Sequence, residues 1–316
     1  MSDGSARAQA IHAGDRRALA QALTLIERGG PAAKALRRSL VPRAQTRVIG
    51  ITGAPGAGKS TLTTALALHI RTRGLTIGIL AIDPSSPLSG GAILGDRIRM
   101  YDLAGDSGVF IRSMANRGRY GGIAGATADA IRALSAAGYD IIMLETVGAG
   151  QSDVAVADVA DTVLLVESPG MGDEVQSIKA GLLEVADVIA VSKSDRPDAN
   201  VTLQQLRALV QMQHADSDAW TVPVCGVSAI ANTGITALAD AVLSHGEWLA
   251  MHPAGPRQRR RRIVALQRAL EILLLESLSL SPVWQDALAT LDQPNCDIEA
   301  LAEQLLTNWR ATPQPN

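Results

Sequence analysis

Aromatic residues are scarce in this sequence. They make up 3% of its 316 residues and include a single phenylalanine, whereas 47% of the residues are hydrophobic. The core must therefore consist mainly of alanine, valine, isoleucine and leucine. Such an aliphatic core suits a parallel sheet that is covered by helices.

Cysteine, net charge and long apolar runs are also in short supply. The two cysteines, Cys225 and Cys296, show no metal-binding spacing, which predicts a reduced cytoplasmic protein. A net charge of −2 argues against nucleic acid and anionic membranes as partners. The N-terminal stretch has no apolar signal-peptide core, and no run is long enough to span a membrane, so we expect no membrane partner.

Short apolar runs alternate with helical patterns through the middle of the chain. They predict strands at 47–52, 76–83, 109–114, 139–145, 161–167, 188–195 and 221–229. This alternation predicts an α/β fold with a doubly wound, mostly parallel sheet. Helical patterns flank it, which gives three predicted domains: an N-terminal helical extension (1–45), a sheet domain (46–252) and a C-terminal helical arm (253–316).

The stretch GAPGAGKS, residues 53–60, lies between the first predicted strand and a helix that reaches about Ile70. It fits the phosphate-loop pattern, in which backbone N–H groups and a helix N-terminus hold phosphate oxygens, so the sheet is predicted to be of the P-loop NTPase type. Lys59 is expected to neutralise the β- and γ-phosphates, and the Ser60 hydroxyl to bind Mg²⁺. The predicted phosphate-binding residues are Gly53, Ala54, Pro55, Gly56, Ala57, Gly58, Lys59, Ser60, Thr61 and Gly148.

A Mg²⁺ site also needs carboxylates at neighbouring strand ends. Glu145 ends the strand YDIIMLE, and Gly148 just beyond it could offer its N–H to the γ-phosphate, so that loss of this phosphate would release the loop. Asp83 and Asp96 lie in Gly- and Ser-rich loops and are further metal candidates, although an Asp before Pro is often only a turn former. Gln151 either orients the attacking water or is an ordinary loop residue.

The stretch VSKSD, residues 191–195, ends a late strand, where nucleotide-binding sheets read the base. Asp195 can accept hydrogen bonds from guanine N1–H and the N2 amino group, and the Lys193 stem can cover the base. Ser192 stands where guanine-binding loops normally carry Asn or Thr, which predicts guanine selectivity with weaker affinity. Further on, the Ser228–Ala229 pair could offer a backbone N–H to guanine O6.

Longer motifs carry a resemblance to a known family. The stretches GAPGAGKST, DPSSPLSGGAILGDRIRM, SMANRGRYGG, ETVGAGQSD, SPGMGDEVQSIKAG and EVADVIAVSKSD together resemble the MeaB/ArgK-type GTPases, over roughly residues 15–280. This resemblance implies a GTP-hydrolysing chaperone that gates adenosylcobalamin loading into a B12-dependent acyl-CoA mutase and protects it. The mutase substrate could be methylmalonyl-CoA, isobutyryl-CoA or 2-hydroxyisobutyryl-CoA. The resemblance also implies a homodimer formed largely through the C-terminal helices.

By position, the resemblance assigns Lys59, Ser60, Asp96 and Glu145 to the nucleotide and magnesium site. It implies that residues 168–179 form a second switch, which responds to the nucleotide and contacts the mutase. The residues of interest there are Ser168, Gly170, Asp173, Glu174, Gln176 and Lys179. The sequence departs from the family pattern at Ser192 and at Asp153, where the family usually has Asn and Glu.

Two other functions remain open from the sequence. An ATP-dependent kinase of a small molecule or protein would share the phosphate loop but would have no need for Asp195. A scaffold that binds nucleotide without hydrolysis would not need Lys59, Ser60 and Glu145 together. The five histidines form no metal-binding cluster in the sequence, which argues against a nickel-delivery GTPase.

Overall fold

The structure is a computed structural model. It describes residues 3–84, 103, 105–116, 122–146, 156–170, 180–213, 220–252, 255–291 and 296–311. The chain divides into two compact units, Met1–Gln258 and Arg259–Asn316.

The described residues of the first unit form a seven-stranded sheet in which every pair of neighbours is parallel. The strands are β1 (Arg47–Thr52), β2 (Ile77–Pro84), β3 (Val109–Asn116), β4 (Ile141–Thr146), β5 (Thr162–Glu167), β6 (Val188–Val191) and β7 (Val224–Gly226). Their order across the sheet is β3-β2-β4-β1-β5-β6-β7. The chain thus places β2, β3 and β4 on one side of β1 and β5, β6 and β7 on the other, and the predicted doubly wound α/β fold is confirmed.

Eleven α-helices lie within the described residues. They are α1 (Asp3–His12), α2 (Arg16–Arg28), α3 (Pro31–Ser39), α4 (Lys59–Arg71), α5 (Gly122–Ala136), α6 (Ala180–Val185), α7 (Ala199–Gln213), α8 (Ile235–Met251), α9 (Pro256–Ser279), α10 (Pro282–Leu291) and α11 (Ile298–Ala311). The sequence analysis did not predict α1, α7, α8 or α10. Helix α10 begins with a proline, which suits the first turn of a helix because that position needs no N–H donor.

The central strands are buried on both faces, which explains their continuous apolar runs. Successive residues of β4 alternate between two aliphatic clusters: Ile142 and Leu144 belong to one, and Ile141 and Met143 to the other. The first cluster includes α1, α2, α3 and α5, and the second includes α4 and α8. Both faces are therefore shielded, and only the ends of the strands are left to carry polar chemistry.

The N-terminal helices are part of the same core as the sheet. Leu19 and Leu23 of α2 are buried in the cluster that also holds Leu134 of α5. The Arg16 guanidinium donates to the carbonyl oxygens of Ser107 and Val109, both at 2.7 Å, and so joins α2 to the start of β3. The compact first unit accordingly includes residues 1–45.

Three buried residues and the half-buried Trp220 form a cluster at the amino ends of β5 and β6. We call Thr162, Asp187, Trp220 and His245 the amino-edge cluster. Thr162 Oγ1 lies 2.8 Å from His245 Nδ1, and Asp187 Oδ1 lies 3.4 Å from His245 Nε2. The Trp220 ring packs 4.9 Å from the His245 ring, and its Nε1–H donates to the Asp187 carbonyl at 2.8 Å. These contacts fasten α8 to the edge of the sheet opposite its carboxyl ends.

The second unit contains most of α9 together with α10 and α11, and α10 packs against α11. Ile263, Leu266, Leu270 and Leu273 lie at helical spacing on α9 and are 43–61% exposed. Across the part of the chain that the structure describes, no helix has the length and hydropathy needed to cross a membrane.

Candidate nucleotide-binding site

The predicted phosphate loop, residues 53–60, lies at the carboxyl edge of the sheet, where the strand order reverses around β1. Ligands of doubly wound sheets bind in the crevice at this point. Strand β1 pairs with β4 on one side, with Ile51 beside Glu145, and with β5 on the other. The topology therefore brings the loop after β1 next to the end of β4.

Glycines give the phosphate loop its shape. Gly53, Gly56 and Gly58 have φ angles of +142°, +76° and +89°, a region that other residues rarely adopt. At Gly53 a Cβ atom would lie 2.0 Å from the carbonyl oxygen of Val166, so the loop packs directly on β5. The three glycines are thus required for this path of the backbone.

Lys59 closes the loop from inside. Its side chain is 7% exposed, and its ammonium donates to the carbonyl oxygens of Gly53 at 2.8 Å and Ala54 at 2.9 Å. The N–H of Ala57 also donates to the Ala54 carbonyl, at 3.2 Å. The carbonyl oxygens of Gly53 and Ala54 are therefore bound within the protein.

The residues 192–195, which we call the base loop, hold the second half of the phosphate loop. The Ser192 hydroxyl donates to the Ala57 carbonyl at 2.5 Å, and Lys193 Nζ donates to the Gly56 carbonyl at 2.9 Å. With the carbonyl oxygens of Gly53, Ala54, Gly56 and Ala57 occupied, most of the polar groups that the loop can turn toward a ligand are N–H groups. This arrangement suits an anion.

Helix α4 begins directly after the loop and adds further N–H donors. Its first intrahelical bond runs from the Leu62 N–H to the Gly58 carbonyl, at 2.9 Å. The N–H groups of Lys59, Ser60 and Thr61 precede that bond, and a helix N-terminus attracts anions through such groups. Within the predicted set, Pro55 is the exception because proline has no N–H to donate.

Ser60 and Glu145 form the contact between the phosphate loop and β4. The Ser60 hydroxyl donates to Glu145 Oε1 at 2.5 Å, and the two residues are 9% and 6% exposed. Beside them, the Thr146 hydroxyl donates to Thr52 Oγ1 at 3.2 Å and so joins the ends of β4 and β1. The structure thus brings together the hydroxyl and the carboxylate that the sequence assigned to the metal.

Asp195 is the predicted acceptor of the base loop. A hydrogen bond from the Ser228 side chain, followed by one from its own backbone N–H, lowers the pKa of the Asp195 carboxyl. This shift favours the ionised form, which the predicted role as an acceptor requires. Lys193 has φ +50° and an exposed side chain beside it.

The polar groups of Ser228 form hydrogen bonds within the protein. Its backbone N–H donates to the Thr233 carbonyl at 3.0 Å, and its Oγ accepts from the Ala231 N–H at 3.2 Å. The side chain holds the Asp195 carboxylate instead, a role that the sequence analysis missed. The N–H of the neighbouring, half-buried Ala229 is then the candidate donor of this pair.

The start of the predicted switch lies beside the base loop. Ser168 is 4% exposed, and Gly170 has φ +87°. A Cβ atom at Gly170 would lie 3.2 Å from both Arg196 Nη2 and Asp198 Oδ2, which pair with each other at 3.0 Å. Sequence reasoning did not single out this ion pair, although it directly follows the base loop.

Several predicted site residues lie outside the described part of the chain. For Asp83 the backbone is described, on β2, but the side chain is not. The others are Asp96, Gly148, Gln151, Asp153, Asp173, Glu174, Gln176 and Lys179. Their assigned roles stay predictions.

The parallel sheet, the glycine loop on a helix N-terminus and the Ser60–Glu145 contact define a P-loop nucleotide hydrolase, and its relatives place it among the GTPases. The family model described as methylmalonyl-CoA mutase-associated GTPase MeaB matches residues 19–281. The chain belongs to this family, and the resemblance drawn from its motifs is confirmed.

Individual relatives agree with this assignment. A protein of Pyrococcus abyssi that is named for GTPase activity is 46% identical over 256 residues, covering 79% of this chain and 78% of its own length. The GTPase ArgK of Escherichia coli is 37% identical over 241 residues, covering 74% and 73%. The mouse methylmalonic aciduria type A homolog, a mitochondrial protein, is 32% identical over 300 residues, covering 89% and 72%.

Among solved structures, one described as LAO/AO transport system kinase superposes with a TM-score of 0.71 at 25% identity and covers 99% of both chains. The word kinase describes that protein and is not carried over to this chain. The family and the two microbial relatives are named as GTPases, and the mouse relative is named as a methylmalonic aciduria type A homolog, so the kinase alternative is not favoured for this chain.

Proposed function

We propose that this GTPase is Mg²⁺-dependent and serves as the nucleotide switch of an adenosylcobalamin-dependent acyl-CoA mutase, gating cofactor loading and protecting the mutase. The observation that carries the catalytic part is the Ser60–Glu145 contact beside Lys59, at the start of α4. The family description and the mouse relative support the choice of partner. Mutases acting on methylmalonyl-CoA, isobutyryl-CoA or 2-hydroxyisobutyryl-CoA are the candidates.

The donor atoms at this site fit magnesium. Ser60 supplies a hydroxyl oxygen and Glu145 carboxylate oxygens, and Mg²⁺ prefers oxygen ligands. Ser60 would bind the ion directly and Glu145 would act through a water, with Asp83 and Asp96 as further candidates. The bound ion supplies neutralisation of phosphate charge.

The protein residues position the phosphates and stabilise their charge. Phosphoryl transfer needs little covalent chemistry from the protein, because charge on the phosphate oxygens dominates the reaction. Lys59 contributes a cation, and the N–H groups of the loop and of the first turn of α4 contribute donors. Gln151 and Gly148 are proposed to orient the attacking water and to sense the γ-phosphate.

Asp195 is proposed to select guanine. Its ionised carboxylate accepts from guanine N1–H and N2–H₂, whereas adenine offers no such donor pair. The lowered pKa of Asp195 and the hydrogen bond from Ser228 support this role.

The partner-facing part is proposed to be the segment 168–179, which begins at Ser168 directly after β5. Through Gly170 this segment lies against the Arg196–Asp198 pair and so next to the base loop. A nucleotide-dependent change could pass from the base loop to the mutase by this route. The proposal also includes a homodimer formed through the exposed apolar residues of α9.

We further propose a cytoplasmic location, with which the free thiols of Cys225 and Cys296 are consistent.

The test is Mg²⁺-dependent hydrolysis of GTP, with ATP as the comparison, by the full chain alone and with the mutase from the same source. We expect GTP to be preferred and the mutase to stimulate turnover. Replacing Glu145 by Gln keeps its size but removes the charge, and should lower kcat by about 10- to 100-fold. Glu184→Gln, at an exposed carboxylate of α6, is the matched control.

Full activity of Glu145→Gln would remove the assigned role of that carboxylate. A rate that the mutase leaves unchanged would remove the chaperone part but keep the GTPase. A preference for ATP would overturn the guanine assignment.

A further inference from the structure

The side chain of Ser192 points into the protein rather than into the base site. The residue is 5% exposed, and its hydroxyl donates to the Ala57 carbonyl at 2.5 Å. Its backbone N–H is also used, because it donates to the Glu167 carbonyl at 2.8 Å. Serine is too short to keep this contact and also extend to a bound base.

The hydrogen bond from Ser192 sets the direction of one peptide group. In a trans peptide the C=O and the following N–H point in opposite directions. When the Ala57 carbonyl is held on Ser192, the N–H of Gly58 must point away from the base loop. This N–H comes directly before α4 and belongs to the donors that hold phosphate in such loops.

Lys193 acts on the preceding peptide in the same way. Its Nζ donates to the Gly56 carbonyl at 2.9 Å, and the N–H on the other side of that peptide donates to Ala54 at 3.2 Å. Two adjacent peptides of the phosphate loop, whose glycines at 56 and 58 would otherwise allow many conformations, are therefore fixed by two adjacent residues of the base loop.

We propose that Ser192 is a positioning residue of the phosphate loop: it sets the affinity for the phosphate chain and takes no part in choosing the base, which falls to Asp195 and Ser228. The proposal rests on the guanine-nucleotide site proposed above. It differs from the expectation drawn from the sequence, in which Ser192 belongs to the base-reading set.

The experiment compares three ligands on the full chain by calorimetry: GDP, inosine diphosphate and inorganic tripolyphosphate. Inosine diphosphate lacks the guanine amino group, and tripolyphosphate has no base. Ser192→Ala should weaken all three by a similar factor, about three- to tenfold for the loss of one hydrogen bond. The ratio of the inosine diphosphate and GDP affinities should stay at the wild-type value.

Ser194→Ala is the matched control, since it makes the same change on the same loop at a residue held through its backbone N–H, which donates to Val227. It should leave all three affinities unchanged. If Ser192→Ala does not fold, Lys193→Met at an exposed side chain tests the adjacent contact of the base loop with the phosphate loop, at the Gly56 carbonyl, and it should weaken tripolyphosphate binding.

Two results would overturn the proposal. One is a Ser192→Ala protein that binds tripolyphosphate normally while its preference for GDP over inosine diphosphate is lost. The other is unchanged affinity for all three ligands; for Lys193→Met, the corresponding result is unchanged tripolyphosphate binding.

Failure of the proposed function has a separate signature. In that case Asp195→Asn would leave the preference for GDP over inosine diphosphate intact, or the wild-type chain would prefer ADP to GDP. Because tripolyphosphate has no base, its affinity for Ser192→Ala would still test the role of Ser192 independently of the guanine assignment.

Discussion

Gly53 shows how strongly a single position can depend on having no side chain. Its φ of +142° excludes most residues, and its Cα faces the Val166 carbonyl so closely that a Cβ atom would lie at 2.0 Å. Gly56 has a positive φ as well, but nothing lies within 4 Å of a Cβ atom there. The first glycine is required by both contact and conformation, the second by conformation alone.

Alanine substitutions should separate these two causes. Gly56→Ala carries only the cost of the left-handed conformation, about 1–2 kcal/mol. Gly53→Ala adds overlap with backbone, which cannot move without disturbing β5, and should cost at least about 2 kcal/mol more than Gly56→Ala. Urea unfolding without nucleotide measures both; equal losses would mean that the loop can retreat from β5.

At the scale of the elements, the amino-edge cluster joins α8 to the sheet. His245 contributes both ring nitrogens, one toward Thr162 and one toward Asp187, and it is 1% exposed. Asp187 also accepts from the Val163 N–H at 2.7 Å. Removing one partner of a buried carboxylate is strongly destabilising, so we expect the amino-edge cluster to contribute substantially to the free energy of unfolding of the first unit.

We therefore expect His245→Leu to lower the free energy of unfolding by about 2–4 kcal/mol, because it takes the imidazole away from both Asp187 and Thr162. His252→Leu is the comparison: this exposed histidine stacks on Trp248 from the end of the same helix, and its loss should cost less than about 1 kcal/mol. Urea unfolding, followed by a spectroscopic signal of the first unit, gives both free energies of unfolding. Equal stability of His245→Leu and the wild type would mean that α8 is held by its apolar face alone.

Much of the sheet could be predicted from the sequence because buried parallel strands are continuous apolar runs. The run RVIGIT and β1 share the same limits, and the glycine loop with Lys59 and Ser60 follows from its pattern alone. Helix α1, with the sequence DGSARAQAIH, has too few apolar residues to show a face; it is ordered by packing, with Ile11 fully buried against the rest of the core.

The details of the site depend on distances that no local pattern contains. Ser192 meets Ala57 across 135 positions of sequence, and Ser60 meets Glu145 across 85. The second contact could be anticipated because both residues belong to motifs with assigned chemistry. The contact of Ser192 with Ala57 could not be anticipated, because the motif assigned Ser192 to the base.

At the scale of the whole molecule, the second unit has an unusual surface. Ile263, Leu266, Leu270 and Leu273 follow the three-and-four spacing of a coiled-coil seam, and each is more than two-fifths exposed. A face of this kind would be costly to leave in water. A second copy of the chain is its proposed cover, in agreement with the homodimer that the family resemblance implies.

The double substitution Leu266→Glu and Leu273→Glu places two charges on this face and should convert a dimer to a monomer in light scattering coupled to gel filtration. Ala265→Glu adds a charge at an exposed position of the same helix outside the face, and should leave the mass unchanged. Basal GTP hydrolysis should persist in both proteins. A double variant that keeps the wild-type mass would place the contact between copies elsewhere.

The shared core of the N-terminal helices and the sheet has a consequence for how the chain is made. Helices α1, α2 and α3 contact one another and can associate as soon as they leave the ribosome. Their apolar sides, however, are completed by α5, and residues 29–121 must be synthesised between α2 and that helix. At about 5–20 residues per second this synthesis takes roughly 5–20 s, during which Leu19 and Leu23 of α2 are not yet covered by α5. The first helices to appear thus reach their final packing only after α5 has been made.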